Sequence, residues 1–158
     1  MLTIRFATSD DCPVILNFIK ALAEFEKLQH EVVATEENLR SSLFSEKSAE
    51  VLLAFWDNKP AGFALFFYNY STFLAQKGLY LEDLFVAPEF RSFGIGKSLL
   101  QKLSRIAVER NCGRLEWSVL DWNTRAIKFY LSIGAKPNDE WTTYRMTEPV
   151  LKKFSESF

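Results

Sequence analysis

Apolar and polar positions alternate over residues 2–7, which predicts a first strand. The period then becomes helical, with Ile15, Phe18, Ile19, Leu22 and Phe25 on one stripe. Thr8 or Ser9 can cap this helix, Asp10 and Asp11 suit its first turn, and Pro13 stands near its start. Thr35–Phe44 predicts a second, shorter helix. Glu50–Trp56 and Ala61–Tyr70 predict two strands, and the turn chemistry of Asp57-Asn58-Lys59-Pro60 joins them as a hairpin. Leu79–Val86 predicts the next strand. Gly96–Glu109 predicts a helix with Leu99, Leu100, Leu103, Ile106 and Ala107 inward, ended by Asn111-Cys112-Gly113. Arg114–Leu120 predicts a strand, and Thr124–Ile133 a helix stopped by Gly134. Trp141–Met146 predicts a last strand, and the tail from Pro149 is a short amphipathic segment. The order is βααβββαβαβ, without internal repeat, linker or low-complexity segment. Residues 1–158 therefore read as a single α/β domain.

Composition narrows the class. Hydrophobic residues make up 48% and charged residues 25% of the chain, ordinary for a globular protein. The net charge of −1 argues against nucleic acid, whose binders carry a basic excess or stripe. No segment reaches the roughly 18 apolar residues of a membrane span, so no membrane partner is expected. The polar Ser9-Asp10-Asp11 follows the first strand too soon for a signal peptide. Cys12 and Cys112 lie far apart, in no metal-ligand spacing, which points to a reducing cytoplasm and no bound metal. The 15 Phe residues are many, enough to fill a core and also to cover a partner surface.

The candidate chemistry sits in the stretch from Tyr80 to Lys97. A strand carrying Glu82 and Asp83 runs into the loop Arg91-Ser92-Phe93-Gly94-Ile95-Gly96, which opens a helix. A helix start has unpaired N–H groups and partial positive charge, and glycines let its backbone approach a pyrophosphate. The spacing fits neither the dinucleotide fingerprint nor a Walker loop. A phosphate cradle beside carboxylates suggests a transferase that uses a nucleotide-bearing cofactor.

The loop from Arg91 to Gly96, in this order of elements, resembles the pyrophosphate loop Arg/Gln-x-x-Gly-x-Gly/Ala of the GNAT superfamily of acetyl-CoA-dependent N-acetyltransferases. Tyr80-Leu81-Glu82-Asp83, Asp121-Trp122-Asn123 and Phe129-Tyr130 are similar to the spermidine/spermine (diamine) acetyltransferase group. Leu22 to Leu28 and Val119 to Asn123 look most like its thialysine-acetylating branch. The resemblance implies the GNAT (acyl-CoA N-acyltransferase) fold, a mixed central sheet flanked by helices and splayed between its fourth and fifth strands. It also implies acetyl-CoA as co-substrate, entering that splay, and a homodimer.

Residue roles follow from the same resemblance. Leu84, Phe85 and Val86 would offer backbone groups to the pantetheine arm, much as a strand edge pairs with a peptide. Arg91, Ser92, Phe93, Gly94, Ile95, Gly96 and Lys97 would surround the pyrophosphate. Asn123, Thr124, Arg125 and Ala126 would contact the cofactor from the next helix. Tyr130 would protonate the departing thiolate, as a phenol of pKa about 10 can. Glu82 would be the base, because an ammonium of pKa about 10.4 has no lone pair at neutral pH. Adjacent strand residues point to opposite faces, so only one of Glu82 and Asp83 readily faces the cofactor, and the resemblance favours Glu82. Phe25, Glu26, Glu82, Asp83, Glu116, Trp117 and Ser118 would bind the amine, with Phe25 equally readable as core. Polyamine enzymes carry two acids where this chain has Gln29 and His30, which tilts the expected substrate toward a thialysine-like amino acid or a diamine. A polyamine and a protein amine remain the alternatives.

Overall fold

Asp57 and Asn58 both adopt left-handed backbone, at φ 47° and 64°, and turn the chain in two residues. That geometry matches the twist of a hairpin, so β2 (Glu50–Trp56) folds directly onto β3 (Lys59–Ser71). Pro60 falls inside β3 rather than in the turn. It lies where Ala61 interrupts the register as an extra residue, a place that tolerates a missing N–H. The strand β1 (Leu2–Phe6) pairs with β2, and β4 (Gln76–Val86) with β3, all antiparallel. The short β5 (Leu115–Trp117) joins β4 in parallel, so the sheet is mixed and its strands lie in chain order.

The computed structural model describes residues 1–158 in two compact units, Met1–Ser118 and Val119–Phe158. The first holds the sheet with α1 (Cys12–Phe25), α2 (Glu36–Leu39) and α3 (Ile95–Glu109). The second holds α4 (Thr124–Ser132) and α5 (Glu148–Ser155).

In the first unit the pairing register sorts side chains onto two faces. Val51, Leu53, Phe63 and Phe85 share one face and form a core with Ile15, Leu16, Phe18 and Leu22 of α1. The Phe18 ring stacks on Phe63 at 5.6 Å and meets Phe85 at 6.2 Å. Burying such a side chain contributes roughly 1.5–3 kcal/mol. Leu52, Ala64, Phe66, Leu79 and Leu81 occupy the opposite face, toward α3 and its buried Leu99, Leu103 and Ile106. Both helices end without glycine. Lys27 at φ 61° and Asn111 at φ 56° take the left-handed position, with Leu28 donating to the Ala23 carbonyl and Cys112 to that of Ala107.

Several expectations need correction. Gly113 does not end α3, because Asn111 does. Gly113 instead donates its N–H to Lys77 and lies so close to β4 that an added Cβ would stand 2.8 Å from Gln76 Oε1. The second helix is α only to Leu39 and widens into a π-turn over Arg40–Ser45. The strand expected over Arg114–Leu120 is confined to Leu115–Trp117. Trp141–Met146 forms no strand, so the chain closes on α5 instead. Thr142, Thr143 and Tyr144 have strand propensity, but propensity without a ladder partner does not make a strand. Tyr144 is accordingly 93% exposed.

Candidate active site

Strand β4 changes character at Glu82. Leu65 of β3 pairs with Asp83 and Phe66 with Leu81, so Glu82 is the extra residue of a β-bulge. The bulge inverts the side-chain parity of the strand. Leu79 and Leu81 face α3, whereas Asp83 joins Phe85 on the face of α1. The strict alternation expected of the Glu82-Asp83 pair therefore breaks where the two carboxylates stand. Glu82 is exposed and Asp83 half-buried.

Pairing of β4 with β5 also stops here, at Leu81–Trp117. Beyond it the sheet is open, which is the expected splay. The Ala87 N–H donates to Ala61 at 2.9 Å, and the Phe85 carbonyl would lie 2.6 Å from a Cβ on Gly62. Phe85 thus points its backbone at β3, and by alternation Leu84 and Val86 point theirs to the open side. Gly62 is required for that close approach of the two strands.

The Schellman end of α1 brings Glu26 toward the same place. Burial raises the pKa of Asp83 from its ordinary 3.8 to about 6, helped by the like charges of Glu82 and Glu26. Burial raises Glu26 as well. Three carboxylates from two elements thus favour a cationic guest. Phe25 beside them is 38% exposed and covered by the Arg91 guanidinium at 4.9 Å, so it is not simply a core residue.

Past β4, Ser92 at φ 72° and Gly94 at φ 78° turn the chain into α3. The first bond of this helix is Ser98 N–H to the Gly94 carbonyl at 3.0 Å, so the amides of Ile95, Gly96 and Lys97 precede the ladder. A Cβ on Gly96 would meet only Val86, at 3.7 Å, so packing within the protein does not demand glycine there. What glycine keeps clear is the approach to the helix start. Together with the edge of Leu84 and Val86, where the Arg91 Nε takes only the Val86 carbonyl at 3.0 Å, this suits an amide-rich arm ending in phosphates, and these residues fit acetyl-CoA. Phe93 packs edge-on against Trp56 at 4.9 Å, which anchors the loop.

The remaining predicted residues divide. Trp117 pairs with Leu81 at the mouth of the opening, and Ser118 Oγ lies 2.8 Å from Tyr80 Oη. The Tyr80 ring packs on Phe67 at 5.3 Å. Glu116 is engaged elsewhere, in an ion pair with Arg114 at 2.7 Å and a bond from Asn69 at 3.2 Å. In the second unit, Asn123 caps α4 by accepting the Ala126 N–H at 3.3 Å, with Thr124 and Arg125 in its first turn. Tyr130 lies on α4, burial raises its pKa, and its carbonyl accepts from Ala135 beyond Gly134. His30 is exposed beside Glu31, and no group of three or more His, Cys, Asp or Glu side chains is spaced to hold a metal ion.

A sheet that opens beside a bulge, next to a helix start whose first amides precede the ladder, has room for a long, amide- and phosphate-bearing group. The chain belongs to the acetyltransferase (GNAT) family, whose model matches residues 17–135, and members of that family use acetyl-CoA as co-substrate. Two relatives are thialysine N-epsilon-acetyltransferases. The one from Caenorhabditis elegans is 38% identical, covering 94% of each chain, and the one from Bos taurus is 35% identical, covering 96% of each. The L-ornithine N5-acetyltransferase of Arabidopsis thaliana is 34% identical, covering 94% of this chain and 86% of its own. Among solved structures, an integron cassette protein from the mobile metagenome of V. cholerae superposes with a TM-score of 0.82 at 29% identity, covering 98% of both chains.

Proposed function

We propose that this acetyltransferase moves the acetyl group of acetyl-CoA directly to the terminal primary amine of a small aminoalkyl substrate. The substrate is an amino acid of the thialysine or ornithine type, or a diamine. The observation that carries this reading is the convergence of Glu26, Glu82 and Asp83 beside the open edge of β4, in a chain whose relatives acetylate thialysine and ornithine. The carboxylates would bind the ammonium, and Glu82 would take its proton, directly or through water. The freed lone pair attacks the thioester carbonyl, and a backbone N–H near Leu84 stabilises the oxyanion. The nitrogen would then lose its second proton as the C–S bond breaks, and Tyr130 would donate its phenol proton to the departing CoA thiolate and regain one from solvent. Leu84, Val86 and the segment Ser92–Lys97 would hold the cofactor, with Asn123–Ala126 as further contacts; Phe85, whose backbone is turned to β3, would not.

Residues 1–158 would act as one domain, a reading supported by a family match over residues 17–135, which begins in the first unit and extends into the second. No helix is long and apolar enough to cross a membrane. The free cysteines favour a reducing cytoplasm. Exposed Trp141, Tyr144 and Phe154 favour a homodimer.

The test is CoA release from acetyl-CoA against thialysine, lysine, ornithine, putrescine, spermidine, spermine and a peptide amine. Preference for thialysine, ornithine or a short diamine supports the proposal. Preference for spermidine or spermine replaces it with polyamine acetylation, and preference for the peptide with protein acetylation.

A further inference from the structure

One side chain in this site makes contacts that a phosphate ligand would not need. Arg91 follows the short turn Pro88–Phe90 and starts the loop into α3. Its Nε donates to the Val86 carbonyl at 3.0 Å, at the end of β4. Its guanidinium lies over the Phe25 ring at 4.9 Å, in the last turn of α1, and 5.6 Å from the Phe85 ring. The charges that bear on Asp83 are those of Glu82 and Glu26. One planar group of the loop into α3 thus touches two other elements: the helix that ends at Phe25 and Glu26, and the strand that carries Asp83. Only arginine supplies a fixed Nε donor and a flat face at once; a lysine ammonium supplies neither.

We propose that Arg91 is a positioning residue that couples the cofactor loop to the amine site, holding Phe25 and the Glu26 end of α1 against the end of β4. This rests on the functional reading above and departs from the expectation that Arg91 is chiefly a phosphate contact. Ordering of the loop by acetyl-CoA then also orders the wall of the amine site. By linkage, each substrate tightens the other.

Arg91→Lys in the full chain keeps the charge and removes both the Nε bond and the stacked face. With the preferred amine of the panel, its KM for amine should rise on the order of three- to tenfold, while acetyl-CoA affinity changes less than about twofold. Phe25→Leu should raise the amine KM similarly, and the double variant should be no worse than the poorer single one. A loss of acetyl-CoA affinity with amine KM unchanged would make Arg91 a phosphate ligand and overturn the proposal. Additive effects would do the same.

Hydrogen exchange supplies a readout that needs no amine. Acetyl-CoA should slow exchange of the amides from Phe25 to Leu28 in the parent protein but not in Arg91→Lys or Phe25→Leu. Equal protection in all three, or none in the parent, refutes the coupling. If the panel yields no acetylated amine, the functional reading fails on that count while the exchange experiment still decides the role of Arg91.

Discussion

Replacing Asp83 with Asn should stabilise this protein, and only above the pH at which Asp83 ionises. The carboxyl is shifted from 3.8 to about 6 because burial and the like charges of Glu82 and Glu26 disfavour its anion. In the folded state it keeps its proton up to about pH 6, whereas in the unfolded chain it loses it near 4. Between those values the native state binds more protons than the unfolded one, so stability falls as pH rises through the window. Each pKa unit is worth 1.36 kcal/mol, so the shift of roughly two units sets a ceiling of about 3 kcal/mol above pH 6. Asparagine has nearly the same shape and no charge to desolvate, and it removes that penalty. For a chain of this size, about 3 kcal/mol corresponds to a rise in Tm of roughly 6–12 °C. Thermal unfolding of both proteins from pH 4 to pH 8 measures the difference. It should be near zero at pH 4, grow through pH 5 and level off above pH 6. Saturating amine should shrink the gain, because a bound ammonium stabilises the carboxylate of the parent only. A Tm difference that is flat across the range, or an Asn variant less stable at pH 8, would refute the argument that Asp83 is a strained acid awaiting a cation.

Other expectations concern the chemistry and the cofactor. Glu82→Gln should flatten the rise of rate with pH or raise the amine KM, read from kcat and kcat/KM profiles; neither change would make Glu82 structural. Tyr130→Phe should lower kcat with little change in acetyl-CoA affinity by calorimetry, and unchanged turnover would remove the acid assignment. Gly96→Ala should raise stability by up to about 1 kcal/mol, since alanine favours a helix and the nearest protein atom is 3.7 Å from the new Cβ. The same variant should weaken acetyl-CoA binding in a titration, because that Cβ narrows the approach to the first amides of α3. Undiminished acetyl-CoA binding would mean that the approach is not used.

The amino-acid sequence by itself determined most elements and the glycine-bearing turn that opens α3. Local causes suffice there: the helical stripe from Ile15 to Leu22, the left-handed preference of Asp57-Asn58, and Gly94 before α3 all act through near neighbours. The family, too, was legible from Arg91 to Gly96 and from Tyr80 to Asp83. Trp141–Met146 misled because strand formation depends on a partner edge, which no local pattern encodes. Only tertiary structure decided the bulge at Glu82. Leu79, Leu81 and Phe85 keep one parity in the sequence, so the strand reads as regular. The one local hint was an acid, Asp83, on the apolar parity. The extra residue becomes visible only when Phe66 pairs with Leu81 and Leu65 with Asp83. Register across strands therefore turned Asp83 toward α1 and the Glu26 that ends it, where burial raises its pKa. The reach of Arg91 to Phe25 likewise exists only because folding brings the end of α1, residues distant in the chain, to the end of β4.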